Sequence, residues 1–346
     1  MGVDRVLRGA DHTLASADDC TGAQRHALPV APAATRAYCF TGFPGAPGSP
    51  DSPGSPGDDT AAWRPGAVSV SGDGTARVLA SAWSRGDAAG VAFVDASDPD
   101  HLAYGWALLA VAVDGGRDYR ALASPVTGMV WDRDTLLVTA GERDRAALYA
   151  FDVRRVLRAS VDSAAVGRVP GGWSAAGAPF VLPAVASYRP AGDAHLPGPA
   201  GLGLDRSSTP ASLAVSERVP AGDERPTRLW RYRLGVDGLP LTDPVSHLTA
   251  PDAAYTTKAT EVRGVLPYGS RWYVARATGA SDGRGMLWRQ DPDGSQVARC
   301  GADDTRLCWS EAPQSLSYAP GTGELWSQSG GTLFAVPLAA VDSALR

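Results

Sequence analysis

Five residues far apart in this chain could act on one small molecule. Arg64, Trp131, Arg206, Arg263 and Gln314 each stand at or beside a short segment of alternating apolar residues, so a fold that gathers those segments around an axis would gather their side chains too. A guanidinium and an amide facing one pocket can hold a carboxylate, enolate or carbonyl oxygen through fixed donors. Arg263, Gln314 and Arg64 are therefore the candidate catalytic residues, and Trp63, Trp131, Asp205, Arg206 and Glu261 are candidate substrate contacts. The plainer alternative for the polar members is hydrogen bonding to backbone carbonyls of neighbouring elements. Asp205 and Glu261 are also the best-placed carboxylate pair, and glycosidases use two carboxyl groups about 5 to 9.5 Å apart. Against that, Asp205 can simply cap the turn in DRSSTP and Glu261 can be a charge at a strand end.

Other chemistry has little support. The sequence holds no HExxH, P-loop or dinucleotide fingerprint, and a strand-rich pattern would give catalytic motifs of that kind no suitable context. His12, His26, His101, His195 and His247 lack the spacing of metal ligands and are expected on the surface. No cofactor and no metal is expected.

The elements that must position the candidates recur as a phrase of three segments. GAVSVSG (66), ARVLASAWS (76) and GVAFVDA (90) form the first. TGMVWDRD (127), TLLVTAGE (135) and ALYAFDV (147) form the second. LGLDRSS (202), ASLAVSER (211) and RLWRYRL (228) follow, then VRGVLPYG (262), RWYVARA (271) and GMLWRQD (285), and finally QSLSYAPG (314), ELWSQSG (324) and TLFAVPL (332). Alternation between Gly, Pro, Asp and Ser turns makes these strands. GWALLAVAV (105) and FVLPAVASY (180) supply a fourth strand for two units. Four antiparallel strands repeated around an axis is a β-propeller, so the expected fold is all-β, a propeller of five blades. A sixth could lie in 236–260 or in the N-terminal region, and a pair of β-sandwiches is the competing architecture. Residues 1–62 are expected to be an irregular segment, with a strand at DRVLRG and a Pro/Gly/Ser-rich loop at 43–59. Residues 63–346 then form the propeller, closing with the N-terminal segment as a single domain.

With 346 residues, 44% of them apolar, the chain can bury a large core, while a net charge of −5 offers no basic field for nucleic acid or anionic lipid. The expected partner is a small molecule, with neither nucleic acid nor membrane involved, and the chain is expected to be a monomer. No run of about 18 apolar residues spans a membrane, and the start of the sequence lacks the pattern of a signal peptide. Cys20, Cys39, Cys300 and Cys308 fall in two local pairs. Disulfides 20–39 and 300–308 are the leading assignment and point to export, with free thiols or a metal site as the alternatives.

The phrases YCFTGF (38), WRPGAVSVSGD (63), PVTGMVW (125), LDRSSTPASLAVSER (204), VRGVLPYGSRWYVAR (262) and PQSLSYAPGTGELWS (313) resemble a family of secreted, largely uncharacterised actinobacterial proteins. The family pattern runs C-x-TGF, W-x-PQG, HAGG-x-x-W, SLDRSSTPDSLVVGEY, QGA and PEDLSY over about residues 38 to 340. The resemblance implies export and a propeller-like fold but no activity. This chain departs from it at Gly66 in place of Gln, Pro125 in place of His, Arg263 in place of Gln, and Gln314 and Ser315 in place of Glu and Asp. If those positions line a central pocket, the pocket here has fewer acids, no imidazole and one new cation.

Two functions fit. The first is a cofactor-independent cyclase or isomerase of specialised metabolism, acting on a largely apolar substrate in the central pocket with Arg263, Arg64 and Gln314 polarising an oxygen. The second is a secreted, non-catalytic propeller that binds a glycan, peptide or small molecule. A glycoside hydrolase using Asp205 and Glu261 stands third.

Overall fold

The fold follows from alternating strands that can bury both faces only by stacking against copies of themselves. In the computed structural model the described residues are 2–41, 63–123, 125–141, 146–191, 199–220, 222–223, 225–278, 283–300 and 305–345. The loop 43–59 and His195 lie outside them. Among the described residues the strands fall into five antiparallel sets of four, three of them joined into one larger sheet by His12–Ser16 and by a parallel pairing of Phe180–Tyr188 with Ala103–Val113, and the innermost strand of each set packs on the innermost strand of the next around a closed ring. The chain is an all-β propeller.

Blade 1 is built from Arg64–Val70, Val78–Arg85, Ala88–Asp95 and Ala103–Val113, and blade 2 from Val126–Asp132, Thr135–Ala140, Ala147–Asp152 and Phe180–Tyr188. Blade 3 comprises Pro199–Asp205, Ser212–Glu217, Thr227–Arg233 and Ala253–Thr257. Blade 4 comprises Val262–Tyr268, Arg271–Arg276, Met286–Asp291 and Gly294–Val297. Blade 5 takes Leu316–Ala319, Glu324–Ser329 and Thr332–Pro337 from the end of the chain and its fourth strand, Arg36–Phe40, from the beginning, with His12–Ser16 paired on the far edge of that strand. Tyr38 pairs with Leu333 and Cys39 with Thr332, which closes the ring. The stretch 236–260 therefore supplies the fourth strand of blade 3 rather than another blade. DRVLRG is not a strand. Val3–Arg8 is a helix, because Val3 and Val6 at i, i+3 spacing are both buried, with Val6 resting on Gly105 of blade 1.

The innermost strands touch backbone to backbone, and small residues permit it. A Cβ at Gly203 would lie 2.0 Å from the Val265 carbonyl oxygen of blade 4, and one at Gly128 would lie 2.6 Å from the Leu202 nitrogen of blade 3. Where serine replaces glycine, its hydroxyl joins the blades. Ser315 Oγ accepts from the Val68 nitrogen at 2.6 Å, Ser317 Oγ from the Val70 nitrogen at 3.0 Å, and Ser69 Oγ from the Trp131 nitrogen at 2.9 Å. The order of these contacts also shows that the innermost strands all run in one direction.

Disulfides join Cys20 to Cys39 and Cys300 to Cys308, as suits an oxidising compartment. The first ties the closing strand to the N-terminal segment. Replacing Cys20 and Cys39 together by serine is expected to cost about 3 kcal/mol through the freed 19-residue separation, seen as a lower Tm. An unaltered Tm would show that the closing strand is held by its sheet alone. No helix among the described residues is long and apolar enough to cross a membrane.

Candidate functional site

The candidate ring does not converge. Arg64, Arg263 and Gln314 stand where innermost strands begin, whereas Trp131, Asp205 and Arg206 stand where they end. A seven-residue strand separates the two ends by about 20 Å. Asp205 and Glu261 fall at opposite ends of two adjoining strands, too far apart to share a glycosidic bond, so the carboxylate pair is not a site.

At the beginning of the strands, Arg263 Nη2 donates to Glu261 Oε2 at 3.0 Å. Burial pulls the Arg263 guanidinium below its ordinary pKa; Glu261 opposes that shift and the nearby Arg218 adds to it. Glu261 is buried and holds φ at +53°, a left-handed conformation that is costly for a residue with a side chain. Two backbone bonds fix it there, from its own nitrogen to the Val219 oxygen at 2.8 Å and from the Ala277 nitrogen to its oxygen at 3.0 Å. Gln314 Nε2 donates to the Ala312 oxygen at 3.1 Å, so its amide serves its own turn. Arg64 is exposed.

The other end is structural. Arg206 donates to the carbonyls of Gly72 at 3.0 Å, Ser71 at 3.1 Å and Trp131 at 2.6 Å, binding blades 1, 2 and 3 together. Burial lowers its pKa, and Asp132 and Asp73 oppose that. Trp131 is buried. Its ring packs between blades, edge-on to Phe93 at 5.7 Å, with Nε1 on the Arg133 oxygen at 2.7 Å. Trp63 is likewise taken up, edge-on to Trp106 at 4.9 Å with the Arg85 guanidinium over its ring. Asp205 Oδ1 accepts from the Ser207 nitrogen at 2.9 Å and its Oδ2 meets Arg231 at 3.3 Å. It is the turn cap that DRSSTP suggests.

A concave apolar site lies elsewhere, between blades 2 and 3, as a cleft of about 400 Å³. Register explains its walls. Leu202 pairs with Val215 and Val215 with Trp230, while Leu213 pairs with Tyr232, so these side chains form two rows across one face of blade 3. Across the cleft, Thr139 pairs with Leu148 and Leu148 with Tyr188 on blade 2. Thr139 closes the inner end by donating to the Ala200 oxygen at 2.9 Å. The outer rim carries Arg189, Pro190, His247 and Leu248.

The segment that brings His247 is firmly built. Asp243 Oδ1 accepts from the Val245 and Ser246 nitrogens at 3.1 and 2.7 Å, and the His247 nitrogen donates to the Asp243 oxygen at 2.9 Å. Upstream, Thr135 Oγ1 of blade 2 donates to the Asp237 oxygen at 2.7 Å, and Arg133 bonds the Val236 oxygen. Burial raises the pKa of the Tyr232 phenol, and burial reinforced by Asp237 raises that of Tyr188. Both phenols therefore stay protonated at neutral pH and act as hydrogen-bonding groups.

The sequence does contain a trace of this cleft. Trp230 and Tyr232 alternate in RLWRYRL and must share a face. Core packing explains that pattern equally well, so only the spacing between blades reveals an opening.

Neither a protein-family model nor a curated protein matches the chain. Among solved structures it is similar to hydrazine synthase from Kuenenia stuttgartiensis, at 13% identity and a TM-score of 0.41 over 79% of this chain and 76% of that one. It is similar also to a PQQ-bound aldose sugar dehydrogenase from Streptomyces coelicolor, at 14% identity and a TM-score of 0.37 over 78% and 79%. A gluconolactonase from Xanthomonas campestris gives 12% identity and a TM-score of 0.37 over 95% and 98%. The propeller assignment stands on this chain's own strand pairings.

Proposed function

We propose that this chain is an exported, monomeric binding propeller that holds a small, largely apolar molecule in the cleft between blades 2 and 3. The observation that carries the reading is the cleft itself. Its volume of about 400 Å³ is of the size that small-molecule sites occupy, and apolar walls with a few polar groups are their usual chemistry. The resemblance to secreted proteins and the two disulfides support export. A cyclase or isomerase acting through Arg263, Arg64 and Gln314 would need its apolar substrate at the beginning of the innermost strands, away from this cleft.

A neutral fluorophore, N-phenyl-1-naphthylamine, is expected to bind one per chain with enhanced emission. Ser187→Trp, a change at an exposed lining position, should weaken that binding about tenfold or more by occupying the cleft. Alanine at Arg64, Arg263 or Gln314 should leave it unchanged. Binding that survives Ser187→Trp and falls with Arg263→Ala would place the ligand at the channel mouth and favour the enzyme.

A further inference from the structure

The walls of the cleft are apolar, but among the described residues its charged groups are all of one sign. Arg189 is the one permanently charged residue of the described lining, His247 is the one titratable base beside it, and no Asp or Glu contributes to that lining. Both stand at the outer rim, while the inner end is closed by Thr139 and the leucine and valine rows. The cleft is thus polarised along its length, dry and aliphatic toward the propeller axis and cationic toward solvent.

The middle is aromatic. Trp230 and Tyr232 project from one strand of blade 3 toward blade 2, and Tyr188 stands on the outer strand of blade 2. The cleft is a slot between two stacked sheets, a shape that suits a flat ring system better than a branched or globular molecule. Trp230 is the aromatic partner such a ring would stack upon.

Resting on the binding reading above, we infer that the ligand is a flat aromatic or fused-ring carboxylic acid, its rings against Trp230 and Tyr232 and its carboxylate at Arg189 and His247. The carboxylate would meet Arg189 as a charge-assisted pair at the rim, where the guanidinium can remain partly hydrated. His247 beside it can donate a ring N–H to the same carboxylate. Among the described residues, charged groups near the cleft include Arg228, whose guanidinium lies 5.4 Å from the Trp230 ring centroid, and two carboxylates: Asp243, engaged by the Val245 and Ser246 nitrogens of the His247 turn, and Asp237, which acts on Tyr188. Both carboxylates disfavour an anion, and neither lines the cleft.

The test compares 2-naphthoic acid with 2-naphthalenemethanol, equal in ring system and differing in charge, by calorimetry and quenching of tryptophan emission. The wild-type protein is expected to bind the acid about tenfold more tightly than the alcohol at low salt. Arg189→Gln should bring the two close to parity without weakening the alcohol, and the preference should shrink as ionic strength rises. Equal binding of acid and alcohol by both the wild type and Arg189→Gln would overturn the carboxylate assignment and leave the cleft as a neutral site. If neither compound binds, or if Ser187→Trp binds both as well as the wild type does, the cleft reading fails and takes this inference with it.

Discussion

Gly203→Ala is expected to destabilise the folded chain by at least about 3 kcal/mol. The added Cβ would lie 2.0 Å from the Val265 carbonyl oxygen and 2.8 Å from the Val265 carbonyl carbon, so the obstacle is backbone and no rotamer change relieves it. The innermost strands of blades 3 and 4 would have to move apart, and each is held on its other side by the next blade. Displacement therefore spreads around the ring instead of ending locally. The measurement is a denaturant midpoint, with Gly22→Ala as control, since a Cβ at Gly22 meets nothing within 4 Å. An unchanged midpoint for Gly203→Ala would mean that the innermost strands can separate freely, and the close-contact account of the ring would fall.

Arg206→Met should cost about 3 kcal/mol, because three carbonyls on blades 1 and 2 lose a charged donor. It should also change how stability responds to pH. Burial raises the pKa of Asp132, and Arg206 and Arg133 partly restrain that shift. Without Arg206 the folded-state pKa of Asp132 rises further. A raised carboxyl favours the folded state while it is protonated, below the unfolded pKa, and that benefit is lost as pH climbs through the folded pKa. The variant should therefore fall further behind the parent at pH 7.5 than at pH 5, read as the difference in Tm. A deficit independent of pH would show that Asp132 does not depend on Arg206.

What the sequence reveals and what it hides divide along physical lines. The inner strands are most legible where neighbours cover both of their faces, as in ALYAFD and TLLVTA, which are buried throughout, whereas Thr227–Arg233 and Met286–Asp291 are mostly half-buried. Outer strands lack that signature. Ala253–Thr257 is largely exposed, and Gly294–Val297 is four residues long with half of them open to solvent. Arg36–Phe40 is buried, but its partner lies almost 300 positions away, beyond any local pattern. The site was less legible for a related reason. Proximity to an innermost strand says nothing about which end a residue occupies or which neighbouring blade it faces. Strand proximity alone groups Trp131 and Arg206 in a common pocket, whereas the structure spends both on joining blades. The cleft arises where two sheets stand apart, which is a property of their spacing and not of either sequence.

The ring is completed by pairing the beginning of the chain with its end, and this sets an order of events during synthesis. Tyr38 and Cys39 emerge roughly 295 residues before Leu333 and Thr332, their partners. Throughout that interval the Arg36–Phe40 strand presents an unpaired edge, the kind of surface that recruits other chains. Its covalent tie to Cys20 spans only 19 residues and can form long before blade 5 exists. A cross-link made early would hold the first strand in a compact hairpin-like arrangement with its neighbours. The final pairing then docks a preassembled piece instead of capturing a loose tail.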